Sequence, residues 1–320
     1  MKKIVALIAA LVASIGLYLA TFSVVNRPLT VGGVWNTVQQ KISYAQSLGH
    51  PKLAIWAGSN GRYSHRCQYF TEATGLPCIN LSMAVGIGID FQLLMFEPLL
   101  QKGDVLYVPL EYNQYAIERD EMEGGAENIA LVQQAHDLLW SMGLARTARA
   151  WGYFDLPFLI HGVIESVLNS KGFQRREGAD TMTAQGDQRG HTAELGLPYR
   201  QLLQGARFDP PQMPEQSRAL SVLGDFLDRM HARGVRVIGG LPTTPDGVRI
   251  NEPLIAQLRG FYQQHGQEFL VLPNRSQYPL DCFFDSTYHL NEGCQIEHSK
   301  QVATAVTGTD QIRSAQVPKP

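Results

Sequence analysis

Three residues of this chain belong to the types that share a proton during nucleophilic chemistry, and they stand far apart in the sequence. Ser59 lies in Trp56-Ala57-Gly58-Ser59-Asn60-Gly61; Asp285 and His289 lie in Phe283-Phe284-Asp285-Ser286-Thr287-Tyr288-His289-Leu290-Asn291. A serine hydroxyl is a poor nucleophile until a base removes its proton, and an imidazole base works best when a carboxylate fixes its tautomer. Gly58 and Gly61 permit a sharp turn that would expose the hydroxyl. Asp285 and His289 are near enough for one loop to hold both. Taken alone, a serine between glycines reads as a turn and the Asp–His pair as solvated surface. Only their conjunction points to chemistry.

That conjunction needs a scaffold that brings distant segments together. Leu53–Ala57, Pro77–Leu81, Asp104–Leu110, Val235–Gly240 and Phe269–Pro273 read as short buried strands. Helical patterns separate them, across 63–74, Asp90–Gln101 (with Asp90 as N-cap), Pro214–Arg233 and 252–265. Strands alternating with helices predict a doubly wound α/β domain with a parallel sheet, whose ligands bind beyond the carboxyl ends of the strands. Ser59 follows the first expected strand; Asp285 and His289 follow the last.

In this order and placement the chain resembles the SGNH (GDSL-like) hydrolases over about 240 residues. That resemblance implies a flavodoxin-like three-layer fold of the SGNH type, with a catalytic Ser59, Asp285 and His289. It also implies an oxyanion hole from the Ser59 amide, Gly86 and Asn113, the last two lying in Asn80-Leu81-Ser82-Met83-Ala84-Val85-Gly86 and Glu111-Tyr112-Asn113. The chain departs from the family pattern in four places. Gly58 stands where many members have Asp, Glu111 replaces a glycine of the third block, Asp285 and His289 are four residues apart rather than three, and Gly86 stands one residue later than the simplest alignment gives. Asp281 is therefore an alternative partner for the imidazole, and Ser82 an alternative to Gly86.

Asn60, Arg62 and Tyr112 are candidates for substrate contact, although Arg62 reads better as a solvated helix start. His65 is expected on the first helix, at the surface or in contact with substrate rather than in catalysis, and Glu297 and His298 on an exposed helix after the loop. Trp140, Trp151, Tyr153 and Phe154 would suit either sugar stacking or helix packing. No His-and-carboxylate spacing suggests a metal, and no cofactor is implied.

Composition is that of a globular chain, 44% hydrophobic and 18% charged with a net charge of −2, which gives no electrostatic footprint for nucleic acid. The N-terminus differs. Met1-Lys2-Lys3 precedes an apolar run from Ile4 to Val25, long enough at 1.5 Å per residue to span a hydrocarbon core of about 30 Å. An uncleaved anchor over 1–27 fits better than a cleavable signal peptide, and the two lysines place the remainder in the periplasm, outside the inner membrane. The expected organisation continues with a juxtamembrane linker at 28–50 and an α/β domain at 51–305. That domain carries a helical insertion at 114–213 over the top of the sheet, and a disordered tail follows at 306–320. Cys67, Cys78, Cys282 and Cys294 all lie in the exported part. Local pairing, Cys67–Cys78 and Cys282–Cys294, is the first choice of three; four free thiols are the alternative.

The anchor suggests work on acyl groups at a membrane surface. By resemblance to the teichoic-acid D-alanyl transfer and alginate O-acetylation proteins, the expectation is O-acetylation of an exported polysaccharide beside a multi-spanning membrane-bound O-acyltransferase. The rival expectations are an O-acetylesterase with the same triad and a non-catalytic polysaccharide-binding subunit.

Overall fold

A computed structural model describes residues 2–173, 181–206 and 211–308. Fourteen α-helices are described: α1 Lys2–Val24, α2 Val31–Ser47, α3 Ser59–Ser64, α4 Cys67–Thr74, α5 Ile89–Phe96, α6 Arg119–Glu123, α7 Ala126–Gln134, α8 His136–Ser141, α9 Leu144–Gly152, α10 Leu156–Ser170, α11 Arg200–Gln204, α12 Arg218–Ala232, α13 Glu252–Gln264 and α14 Glu292–Thr307. The main sheet has five strands: β1 Leu53–Ile55, β2 Cys78–Asn80, β3 Val105–Val108, β4 Arg236–Gly240 and β5 Glu268–Leu270. The order across it is β2-β1-β3-β4-β5, and every pairing is parallel. All five expected strands are present; the first four are shorter than expected, and the fifth begins one residue earlier and ends at Leu270.

Alternation along the strands sorts side chains to two helical layers. Leu53 and Ile55 of β1, Val105 and Tyr107 of β3 and Ile238 of β4 pack with Phe70 of α4 and Val302, Ala303 and Val306 of α14. Beyond the other face, Trp56 meets Phe226 of α12 edge-on and donates its indole N–H to Gln92 of α5 at 3.0 Å. Gly239 leaves room for Tyr262 of α13 and Phe269, since a Cβ there would lie 2.6 Å from either ring. The three strands β2, β1 and β3 are fully buried, and the edge strand β5 is half-buried and carries Glu268, which pairs with Arg236 of β4.

The helices differ from the sequence pattern in register. Extended backbone at His65 and Arg66 divides the helix expected over 63–74 into α3 and α4. Asp90 lies in the first turn of α5, with Gly88 at its N-cap. Ser217 and Asn251 cap α12 and α13, each accepting an N–H three residues on.

The chain forms two compact units, residues 1–38 with 123–179, and 39–122 with 180–320. The stretch expected as one insertion, 114–213, is therefore divided between them, and the expected linker at 28–50 holds α2. In the first unit, Phe22 of α1 stacks on Phe154 with ring centroids 4.8 Å apart and lies 5.9 Å from Phe158. The Tyr18 hydroxyl bonds to the carbonyls of Trp151 and Phe154, 2.8 Å from each. Residues 174–180, 207–210 and 309–320 lie outside the described residues, and with them most of the expected tail; its start is the last turn of α14.

The second unit holds two disulfides, Cys67–Cys78 and Cys282–Cys294, in the local pairing. It also buries two imidazoles that the sequence pattern assigns to the surface. His65 donates Nδ1–H to the Gly61 carbonyl at 3.3 Å, and its Nε2 accepts from His298 Nε2 at 3.2 Å. His298 Nδ1 lies 2.9 Å from the Tyr278 hydroxyl. The two facing Nε2 atoms have room for one proton between them. Burial depresses His65 to about 3 and takes His298 well below its usual value. The unfolded chain binds these protons near pH 6.5 and the folded one does not, so their contribution to stability is lost as pH falls from about 6.5 towards 3. Thermal unfolding between pH 7 and pH 5 should show a smaller loss for His298→Gln than for the parent; equal losses would contradict the neutral pair.

Candidate active site

Strand order reverses between β1 and β3, because the chain leaves β1 in one direction to form β2 and in the other to form β3. Doubly wound sheets open a crevice at such a point, beyond the carboxyl ends of the strands. Ser59 begins α3 four residues after β1 ends, and Glu111 follows β3 at the same edge. Neither glycine beside Ser59 uses left-handed backbone. Gly58 is extended, with φ −66° and ψ −163°. Gly61 is needed for space instead, because a Cβ there would overlap the Ser82 hydroxyl and lie 2.8 Å from the Ala57 Cβ.

His289 comes from a loop closed by short-range bonds. An antiparallel bridge joins Phe283 and Leu290, Phe284 N donates to the His289 carbonyl at 2.8 Å, and the Cys282–Cys294 disulfide brackets the whole loop. The Tyr288 carbonyl accepts from Thr243 Oγ1 at 2.8 Å, with Ser64 Oγ at 3.1 Å, which ties the loop to α3 and to the segment after β4.

The result is a continuous chain of three side chains. His289 Nε2 lies 2.7 Å from Ser59 Oγ, and His289 Nδ1 lies 2.6 Å from Asp285 Oδ1. An ionised Asp285 can only accept, so the imidazole proton sits on Nδ1 and leaves Nε2 to accept from the serine. The four-residue spacing is absorbed by the turn in which His289 N donates to the Ser286 carbonyl at 3.3 Å. Asp285, not Asp281, orients the ring. Tyr63 lies flat on the imidazole with centroids 4.1 Å apart and planes 9° apart, and His191 and Phe284 pack around Tyr63.

The remaining expected site residues are placed differently. Gly86 and Asn113 are exposed in separate 3₁₀ turns, Val85–Ile87 and Tyr112–Ala116. Among the described residues neither hydrogen-bonds to Ser59, His289 or Asp285. Asn60 is fully buried and donates Nδ2–H to the Pro109 carbonyl at 2.8 Å, a tie between loops rather than a substrate contact. Tyr112 is buried as well. Arg62 binds Gln188 through its guanidinium, with Nε 2.8 Å from Oε1.

Two residues of the block that departs from the family motif turn out to build the site. Glu111 Oε1 accepts from Asn60 N at 3.1 Å and lies 3.3 Å from Ser59 Oγ. Gln114 Oε1 accepts from Gly58 N and from Glu111 N, each at 3.0 Å. Together they stitch the loop after β1 to the loop after β3, and the spacing Glu111-x-x-Gln114 forms a capping box at the following turn. Burial pushes the Glu111 carboxyl upward, opposed by the Asn60 N–H and by the nearby His289. His191, unremarked in the sequence, is buried behind Tyr63, and burial lowers it to about 4.

Among the described residues, no group of three or more His, Cys, Asp and Glu is placed to hold a metal ion. No protein-family model matches the chain, and no curated protein matches it in sequence.

If Glu111 serves first as an acceptor, Glu111→Ala leaves a buried N–H unpaired and lowers stability by about 1–3 kcal/mol. Glu111→Gln, which keeps an acceptor oxygen, should lose clearly less in chemical denaturation. Equal losses would show that charge, not the hydrogen bond, is what matters there.

Proposed function

We propose that this chain is an SGNH-type serine acyl-ester enzyme, held at the outer face of the inner membrane by α1, that transfers acetyl groups to an exported polysaccharide. The observation that carries the reading is the Ser59–His289–Asp285 hydrogen-bond chain at the carboxyl ends of the strands.

Ser59 Oγ attacks the acyl carbonyl of a donor ester while His289 Nε2 takes its proton. The carbon–oxygen bond to the donor alcohol breaks, and His289 returns that proton to the leaving oxygen, which leaves acetyl-Ser59. A polysaccharide hydroxyl then attacks the same carbonyl, His289 takes its proton and passes it to Ser59 Oγ, and the sugar ester departs with free Ser59 and neutral His289 restored. Asp285 holds the imidazole tautomer and stabilises the imidazolium at each step. Glu111 and Gln114 occupy the amides on either side of Ser59. The oxyanion therefore has to draw on the Ser59 amide and on donors such as Gly86 that close around bound substrate.

Supporting the anchor, α1 is 23 residues long and apolar enough to cross a membrane. Its last turns also carry Tyr18 and Phe22, whose partners at 151–158 would lose them on cleavage. The acyl group would arrive from a membrane-embedded O-acyltransferase as the donor partner.

The detergent-solubilised full chain, given p-nitrophenyl acetate, should release nitrophenol, and Ser59→Ala should not. Asp285→Asn should keep the fold and reduce kcat by about two to four orders of magnitude. With an oligosaccharide acceptor present, acetylated sugar should exceed free acetate. Acetate alone would replace transfer by hydrolysis, and equal rates for wild type and Ser59→Ala would end the enzymatic reading.

A further inference from the structure

Helix α10 is built the wrong way round for a water-soluble unit. The residues it buries are Phe158, Gly162 and Glu165. Those it exposes include Leu156 at 65%, Ile160 at 50%, Val163 at 56%, Ile164 at 50% and Val167 at 49%. These positions recur at helical spacing and form one stripe, and the exposed positions from Leu156 to Leu168 hold no Asp, Glu, Lys or Arg. The helix's one acid turns inward, where Glu165 takes the Arg27 guanidinium at 2.6 Å and the backbone N–H groups of Leu29 and Thr30. Trp140 and Leu144, in the same unit, are exposed at 59% and 77%. A contiguous apolar face of this kind marks an interaction surface.

What covers it follows from where α1 holds it. Gly162 lets α10 approach the end of α1 closely, since a Cβ there would lie 2.8 Å from Val25 and 2.9 Å from the Asn26 carbonyl. Tyr18 bonds to the carbonyls of Trp151 and Phe154, immediately before α10. Tyr18 lies six residues inside α1, about 9 Å along its axis from Val24. With a hydrocarbon core of about 30 Å to fill, a membrane-spanning α1 puts Tyr18 at or below the headgroup level, and its bonded partners with it. We propose that α10 lies in the interfacial zone of the bilayer with its outward apolar face among the acyl chains, as a second membrane contact beside the anchor. This rests on the membrane-anchored reading of α1. The exposed aliphatic side chains and the absence of Asp, Glu, Lys and Arg among the outward positions of α10 match what an in-plane helix requires of its lipid face.

The test uses the full chain in lipid vesicles, with single cysteines introduced one at a time and labelled with an environment-sensitive fluorophore. Ile160→Cys and Val163→Cys probe the proposed face, Ala9→Cys probes α1, and Gln257→Cys on α13 serves as an aqueous control; all four replace exposed side chains. Blue-shifted emission at 160 and 163, quenched by nitroxide on the lipid acyl chains as at position 9, supports the contact, provided that 257 stays water-like. Lipid quenching at 9 with water-like emission at 160 and 163 overturns it and leaves the anchor standing. Shielded emission at 160 and 163 without lipid quenching overturns it in favour of a protein partner. Water-like emission at 9 as well removes the anchor and this inference together.

Discussion

The structure turns on a contact between two side chains separated by 230 residues, the 2.7 Å approach of His289 Nε2 to Ser59 Oγ. A hydrogen bond of this kind contributes little to folding on its own, on the order of 1 kcal/mol, so it cannot hold its own geometry. The surrounding fold must impose it. One half is set where α3 leaves β1, with Gly61 pressed against Ser82 and Ala57. The other half is set by a loop that a disulfide and a bridge close and that Thr243 and Ser64 fasten through the Tyr288 carbonyl. Because Ser64 belongs to α3, the element carrying the nucleophile also anchors the loop carrying the base.

Protonation follows from the same enclosure. The buried imidazoles His65, His191 and His298 are all depressed by burial and so are kept neutral at neutral pH. His289 differs in having a carboxylate on one nitrogen and a hydroxyl on the other. Tyr63 stacks on its face and holds the plane of the ring. Glu111 is the countervailing group. A carboxylate beside the nucleophile supports a positive imidazole and opposes a negative oxyanion, and burial reduces that opposition by favouring its neutral form.

Much of this was legible in the sequence, for identifiable reasons. Strand periodicity located all five strands of the sheet, since a buried parallel strand is a short apolar run whatever packs on it. Ser59, Asp285 and His289 could be picked out because their chemistry restricts the residue types. Other features depend on partners remote in sequence. His65 and His298 look like surface residues until each is seen to satisfy the other. Asn60 reads as a substrate contact, but its amide closes a gap to Pro109. Glu111 reads as a lost glycine, and Asn113 as a donor, because a motif records positions and not hydrogen bonds. The polar stretch around Gln185–His191 lacks periodicity because it is held by bonds to distant segments. Asn80 N donates to Gln185 O, and Asp187 accepts from Cys67 N and Asn80 Nδ2. The exposed stripe of α10 has the helical period of an ordinary core face, and only the fold shows that it points outward.

The central claim is that the imidazole makes this one serine nucleophilic, and active-site titration addresses it without knowledge of the substrate. A fluorophosphonate reacts with a serine hydroxyl whose proton is taken by a neighbouring base, and intact-mass and peptide mapping locate the adduct. The folded protein should gain a single adduct on Ser59, which His289→Ala abolishes. An unchanged mass, or labelling that persists undiminished without His289, would contradict the account.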